Sequence, residues 1–111
     1  MHNLSRTLKA VIAIVESLEE GEVAMPDVVI DSDTNGVTLD WFVSNCDNPA
    51  EACASVGAWA ATLGDRAVSK WHLGPSAALA HVGPGLTLRI FYGGELERVD
   101  SDLRATVKAL G

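Results

Sequence analysis

The sequence has 111 residues, of which 48% are hydrophobic and 21% charged, so it suits a single domain over residues 1–111 and is not a disordered chain. Eight Lys and Arg against fifteen Asp and Glu give a net charge of −7, which argues against direct binding to nucleic acid, because that binding depends on neutralising phosphates. No apolar run approaches the roughly 20 residues of a membrane-spanning helix, so we expect no membrane partner.

The first predicted element is a helix over residues 4–20, in which apolar residues recur every three or four positions. The apolar stretch at 10–15 ends at Glu16, before it reaches the about 7–15 residues of a secretory signal. We therefore interpret this segment as a helix of the mature fold and expect the protein to be cytoplasmic.

Residues 27–44 are predicted to form a β-hairpin with strands over 27–31 and 37–44. Asn35 and Gly36 lie between the two strands, and both residues tolerate the positive φ of a tight hairpin turn. Apolar and polar residues alternate along the second strand, which indicates that one of its faces is buried. The residues of its apolar face are Val37, Leu39, Trp41 and Val43.

A second helix is predicted over residues 48–63, where Asn48 suits the N-cap and Glu51 completes a capping box. The remaining predicted elements, in chain order, are strands over 66–72, 77–82 and 86–92 and a helix over 96–110. The order α-β-β-α-β-β-β-α, with short connections, predicts an α+β fold. We expect one domain with a mainly antiparallel sheet and helices packed on one face.

Charge is unevenly distributed along the chain, since residues 10–65 contain no Lys or Arg but eleven Asp and Glu. A negative surface of this kind steers basic partners, so it favours docking on a protein with a basic surface. The other interpretation is that these acids only keep the protein soluble. The acidic candidates are Glu19, Glu20, Glu22, Asp31, Asp33 and Asp40.

A second candidate surface is the side of the sheet opposite the apolar stripe, where Phe42, Phe91 and Arg89 are expected. If helices cover only one face of the sheet, two aromatic rings remain open, and exposed aromatic clusters are typical of interfaces. That interface would bind another protein or a second copy of the chain in a homodimer. The alternative is that the third helix covers this face and makes it a second core.

The segment from Asp31 to Gly36 matches the opening D-x-D-x-N-G of a calcium loop, with Asp31, Asp33 and Asn35 as the ligands. The rest of the motif is missing, since Phe42 occupies the position of the bidentate Glu and the flanking segments are predicted strands. A hairpin turn explains the same residues. We therefore expect no cofactor or metal, and calcium binding is kept as an alternative function.

The sequence contains no motif that is typical of a known enzymatic reaction, so we expect that the protein is not an enzyme. The cysteines and two of the histidines lack the spacing of a metal site. They are Cys46, Cys53, His72 and His81. A nucleophile pair of Cys46 with His72 or His81 would require that the fold bring them together.

The layout of the chain, with the segments Ala58-Trp59-Ala60-Ala61-Thr62-Leu63-Gly64 and Leu86-Thr87-Leu88-Arg89-Ile90-Phe91, is similar to small uncharacterised α+β accessory proteins of actinobacteria and their phages. The resemblance implies a phage or mobile-element accessory protein that engages a host protein. The leading prediction is thus a non-enzymatic acidic protein-binding module. The alternatives are a homo-oligomeric structural protein that assembles through the open sheet face, and a calcium-binding domain.

Overall fold

The computed structural model describes residues 3–20, 25–63, 71–83 and 85–110, and this part of the chain forms three α-helices and five strands. In chain order they are α1 (Leu4–Glu20), β1 (Asp27–Asp31), β2 (Gly36–Phe42), α2 (Pro49–Leu63), β3 (His72–Leu73), β4 (Ala77–Gly83), β5 (Leu86–Phe91) and α3 (Ser101–Lys108). No helix within these ranges is long and apolar enough to cross a membrane.

The strands form one mixed sheet in the order β1-β2-β5-β4-β3. The pairs β1–β2, β4–β5 and β3–β4 are antiparallel, so the sheet is mainly antiparallel, as predicted. The central pair, β2 and β5, is parallel and runs from Val37 opposite Leu86 to Phe42 opposite Phe91. Parallel neighbours need a long crossover, and here α2, β3 and β4 lie between them in the chain.

One face of the sheet forms the core together with all three helices, which confirms the prediction that the helices lie on one face. Trp41 of β2 packs against Trp59 of α2, with their ring centroids 5.9 Å apart. The buried residues of α3, Leu103 and Val107, belong to this same core, and α3 packs mainly on α2. The third helix therefore does not cover the opposite face of the sheet.

The final helix is shorter than the predicted 96–110. A 3₁₀ turn over Leu96–Arg98 comes first, and the chain is then extended at Val99. The carboxylate of the next residue, Asp100, accepts hydrogen bonds from the N–H groups of Asp102 and Leu103. Asp favours this capping role over a helix interior, so it starts a new helix.

The strands also differ in length from the prediction. The strand predicted over 37–44 ends at Phe42, because Val43–Asn45 turns into a 3₁₀ helix. Only the last residue of the strand predicted over 66–72, His72, lies in β3. Residues 66–70 of that prediction lie outside the described residues.

Candidate interaction surfaces

Strand β1 lies at the edge of the sheet, and all five of its residues are exposed. The side chains of Val28, Val29 and Ile30 are 48%, 45% and 50% exposed. Within the described ranges no strand pairs with the outer edge of β1. An edge strand of this kind presents backbone N–H and C=O groups that another extended chain can bond.

The side chains of β1 divide between the two faces of the sheet. Val28 and Ile30 lie beside the core residues Leu39 and Val37 of β2, so they continue the apolar face that the helices cover elsewhere. Asp27, Val29 and Asp31 lie on the opposite face, since residues two apart in a strand share a face. The outer edge of β1 is thus apolar on one face and mainly acidic on the other.

The other edge of the sheet is far smaller. Strand β3 has two residues, His72 and Leu73, and short edge strands are one way in which proteins avoid unwanted pairing. β1 has no lysine or proline among its five residues, and its only charged residues are Asp27 and Asp31 at its two ends. The two edges therefore differ in the amount of backbone and apolar surface that they offer.

The open sheet face, the face opposite the helices, bears the two predicted aromatic residues side by side. The rings of Phe42 and Phe91 are stacked, with centroids 4.8 Å apart and planes 10° from parallel. The Arg89 guanidinium lies 5.2 Å from the centre of the Phe91 ring, in cation–π geometry. All three side chains are half-buried, because each covers part of its neighbours.

Arg89 also forms the one bidentate ion pair found in the described ranges. Its Nε and Nη2 atoms donate to the two carboxylate oxygens of Asp40 at 2.7 and 2.8 Å. This hydrogen bonding raises the pKa of Arg89 above its ordinary value, which keeps the guanidinium charged. The side chain of Asp40 is only 9% exposed, so its charge is neutralised in place and contributes little to a free acidic surface.

The other acidic candidates lie in two places. Glu19 and Glu20 are exposed at the end of α1, and Asp31 and Asp33 are exposed at the tip of the first hairpin. Glu22 lies outside the described residues. Asp27, which was not among the predicted acidic candidates, is exposed at the start of β1 directly opposite Asp40. Only the strand register places these two carboxylates together.

The segment from Asp31 to Gly36, which resembles the start of a calcium loop, forms the hairpin turn. Asn35 adopts a positive φ of 56°, whereas Gly36 is already the first residue of β2, so one residue of the predicted pair needs positive φ. The Asp31 carboxylate accepts a hydrogen bond from the Asp33 N–H at 2.9 Å, and the Thr34 hydroxyl accepts one from the Gly36 N–H. No group of three or more His, Cys, Asp or Glu side chains in the described ranges could hold a metal ion.

The surroundings of Cys46 disfavour ionisation of its thiol. Burial raises the pKa of its thiol, and the sulfur lies 4.0 Å from the Ser55 hydroxyl. A raised pKa disfavours the reactive thiolate. Cys46 and Tyr92 line a groove of about 600 Å³ beside the starts of α2 and α3. The Tyr92 hydroxyl is buried and has no hydrogen-bond partner within the described ranges.

Comparisons of this chain with protein-family models, with curated proteins and with solved structures found no match.

Proposed function

We propose that this chain is a non-enzymatic acidic protein-binding module that engages a partner protein by pairing a strand of that partner with the outer edge of β1. The observation that supports the proposal most is the exposure of Val28, Val29 and Ile30 in a five-residue edge strand. In strand addition, backbone hydrogen bonds supply affinity and alternate side chains supply specificity. β1 offers both.

β1 has a charged residue at each of its ends, but its three central residues are apolar and exposed, and a free apolar edge promotes aggregation. Three consecutive exposed apolar residues are therefore a costly feature unless a partner covers them. The exposed acids at the ends of β1 and in the adjoining turn, Asp27, Asp31 and Asp33, would raise the rate of encounter with a basic partner. Both features favour a surface that binds protein.

The resemblance described above supplies the biological setting of the proposal. A small accessory protein of a phage or mobile element would act on a host protein in the cytoplasm, and binding alone would suffice for that action. No cofactor is part of this proposal.

A selection from a library of random peptides tests the proposed function. We expect the selected peptides to shift the backbone amide NMR signals of residues 27–31 and to lose binding when Ile30 is replaced by Lys (Ile30→Lys). Ile12→Lys is the matched control, because Ile12 of α1 is equally apolar and is 56% exposed. Peptides that bind both variants equally, or that shift signals only outside β1, would contradict the proposal.

A second candidate function is homo-oligomerisation through the open sheet face, which the stacked Phe42 and Phe91 favour because no described helix covers them. In that case the chain is a dimer in solution, and Phe42→Asp with Phe91→Asp converts it into a folded monomer by light scattering. A monomeric wild type, or an unchanged dimer mass in the double variant, would eliminate this candidate.

A further inference from the structure

We infer that the segment that pairs with β1 is an extended strand with the pattern basic–apolar–any–apolar–basic, and that it comes from a different protein and not from a second copy of this chain. This inference rests on the proposed function and specifies the partner that it requires. The pattern reads the same in both directions, as does the arrangement of β1, in which an acid stands at each end of three apolar residues. It therefore applies to parallel and antiparallel pairing.

The first basic position follows from a row of charges across the sheet. Asp27, Asp40 and Arg89 lie opposite one another on β1, β2 and β5. Arg89 forms its ion pair with Asp40, and Asp27 has no ion pair with any described residue. Two carboxylates directly opposite each other are unfavourable. A Lys or Arg on the outer side of Asp27 would complete a row of alternating charge.

The second basic position lies at the other end of the strand. Asp31 is exposed, and its neighbour on β2 is Gly36, which contributes no side chain. No Lys or Arg in the described ranges forms an ion pair with Asp31. Asp27 and Asp31 lie on the same face about 13 Å apart, at about 3.3 Å for each residue of a strand. Two basic residues spaced four apart in the partner meet both.

The two apolar positions follow from the opposite face. Val28 and Ile30 are about half exposed, although their neighbours on β2, Leu39 and Val37, are almost fully buried. Apolar residues at the second and fourth positions of a partner strand would lie beside Val28 and Ile30. These partner residues would shield the side chains of Val28 and Ile30 from water. Such burial is favourable in proportion to the apolar area covered.

The strand register argues against a second copy as the occupant. Two β1 strands that pair about a twofold axis place Val29 opposite Val29, and then Asp27 of each copy faces Asp31 of the other. That arrangement creates two like-charge pairs, each of which is destabilising. A shift by two residues leaves only three residues paired. Self-pairing also brings together two molecules that each have a net charge of −7.

Three capped peptides test the pattern by NMR titration of the intact chain: Gly-Lys-Val-Thr-Val-Lys-Gly, the same peptide with Glu for Lys, and the same peptide with Ser for Val. We expect only the first to shift the amides of residues 27–31. At a protein concentration at which the variant is still monomeric, Asp27→Asn with Asp31→Asn should raise its Kd about tenfold, the effect of losing two exposed ion pairs. Asp27→Lys with Asp31→Lys should reverse the preference and favour the Glu peptide.

The matched control is Glu19→Gln with Glu20→Gln, which changes the net charge equally at the end of α1 and should change the Kd by less than twofold. If the Lys and Glu peptides bind equally, the basic positions of the pattern are wrong. If the Lys peptides with Val and with Ser bind equally, the apolar positions are wrong. Either result overturns the pattern but does not contradict the proposed function. If the peptides selected from the library also bind without shifting the amide NMR signals of residues 27–31, the proposed function itself is contradicted. Wild-type self-association that shifts residues 27–31 overturns the choice of a different protein.

Discussion

Asp27 and Asp40 lie directly opposite each other across β1 and β2, and the Arg89 guanidinium donates hydrogen bonds to both carboxylate oxygens of Asp40. Asp40 is buried as half of an ion pair, whereas Asp27 is exposed at the edge of the sheet with the same charge. Acids of the same hairpin thus have different physical roles. Asp40 is neutralised by Arg89 within the sheet, and Asp27 is exposed at the sheet edge.

Replacing Arg89 with Ala should destabilise the fold by about 2 kcal/mol. Removing one member of a buried ion pair leaves the other charge uncompensated, and we expect less than the full cost here because the Arg89 side chain is 35% exposed. Arg98→Ala is the control, since Arg98 is 82% exposed, pairs with Glu95 at 3.6 Å and should change stability by less than about 0.5 kcal/mol. Urea unfolding measures both, and equal effects would contradict a structural role for the Asp40–Arg89 pair.

Replacing Tyr92 with Phe should raise the free energy of unfolding by about 1 kcal/mol at neutral pH, because the buried Tyr92 hydroxyl has no hydrogen-bond partner. Burial also raises the pKa of Tyr92 above 10.0. The wild type therefore keeps its full stability below pH 10 and loses stability as pH rises through the folded-state pKa, because the unfolded chain ionises first.

The Tyr92→Phe variant has no ionisable hydroxyl at this position, so it does not lose stability in this way at alkaline pH. Its stability advantage should therefore be constant below pH 10 and grow above it, as measured by thermal unfolding from pH 7 to 11. A less stable Phe variant at neutral pH would mean that the hydroxyl has a partner in solution.

Replacing Asp27 and Asp31 with Asn together should make the chain self-associate at concentrations at which the wild type keeps a constant mass. The two carboxylates disfavour pairing of β1 with another β1, and charged residues beside an apolar edge commonly have this protective effect. Sedimentation measures the mass. The Glu19→Gln, Glu20→Gln variant serves as the control, and equal self-association of both variants would show that net charge alone keeps the molecules apart.

Calcium at millimolar concentration should leave the Tm unchanged. The Asp31 carboxylate already accepts a backbone hydrogen bond within the hairpin turn, and a ligand that binds only the native state must raise the Tm. Magnesium at the same concentration controls for general effects of divalent ions on an acidic protein. A rise in Tm with calcium alone, lost in Asp33→Asn, would support the calcium-binding alternative.

The local pattern of the sequence predicted most elements of this fold. The apolar spacing in residues 4–20 and the capping residues Asn48 and Glu51 each indicated a helix that the structure contains. Alternation along β2 assigned Val37, Leu39 and Trp41 to the core face correctly, because the side chains of a strand with one buried face alternate every two residues. These signals are local, so a single sequence is sufficient to detect them.

The candidate surfaces depended on contacts that local patterns do not encode. Asp40 and Arg89 are 49 positions apart in the chain, and only the parallel register of β2 and β5 makes them partners. The apolar run of Val28, Val29 and Ile30 is typical of a buried strand, and only the strand order places it at an edge. Asp100, by contrast, was a local capping signal that the regular apolar spacing of residues 96–110 obscured.

Amide hydrogen exchange of β1 tests the proposed strand addition most directly. On saturation with the peptide Gly-Lys-Val-Thr-Val-Lys-Gly, we expect slower exchange for those amides of residues 27–31 that direct their N–H outward, and no change in β3 at the opposite edge. Unchanged exchange throughout β1, at a peptide concentration that saturates binding, would contradict the pairing of a partner strand with this edge.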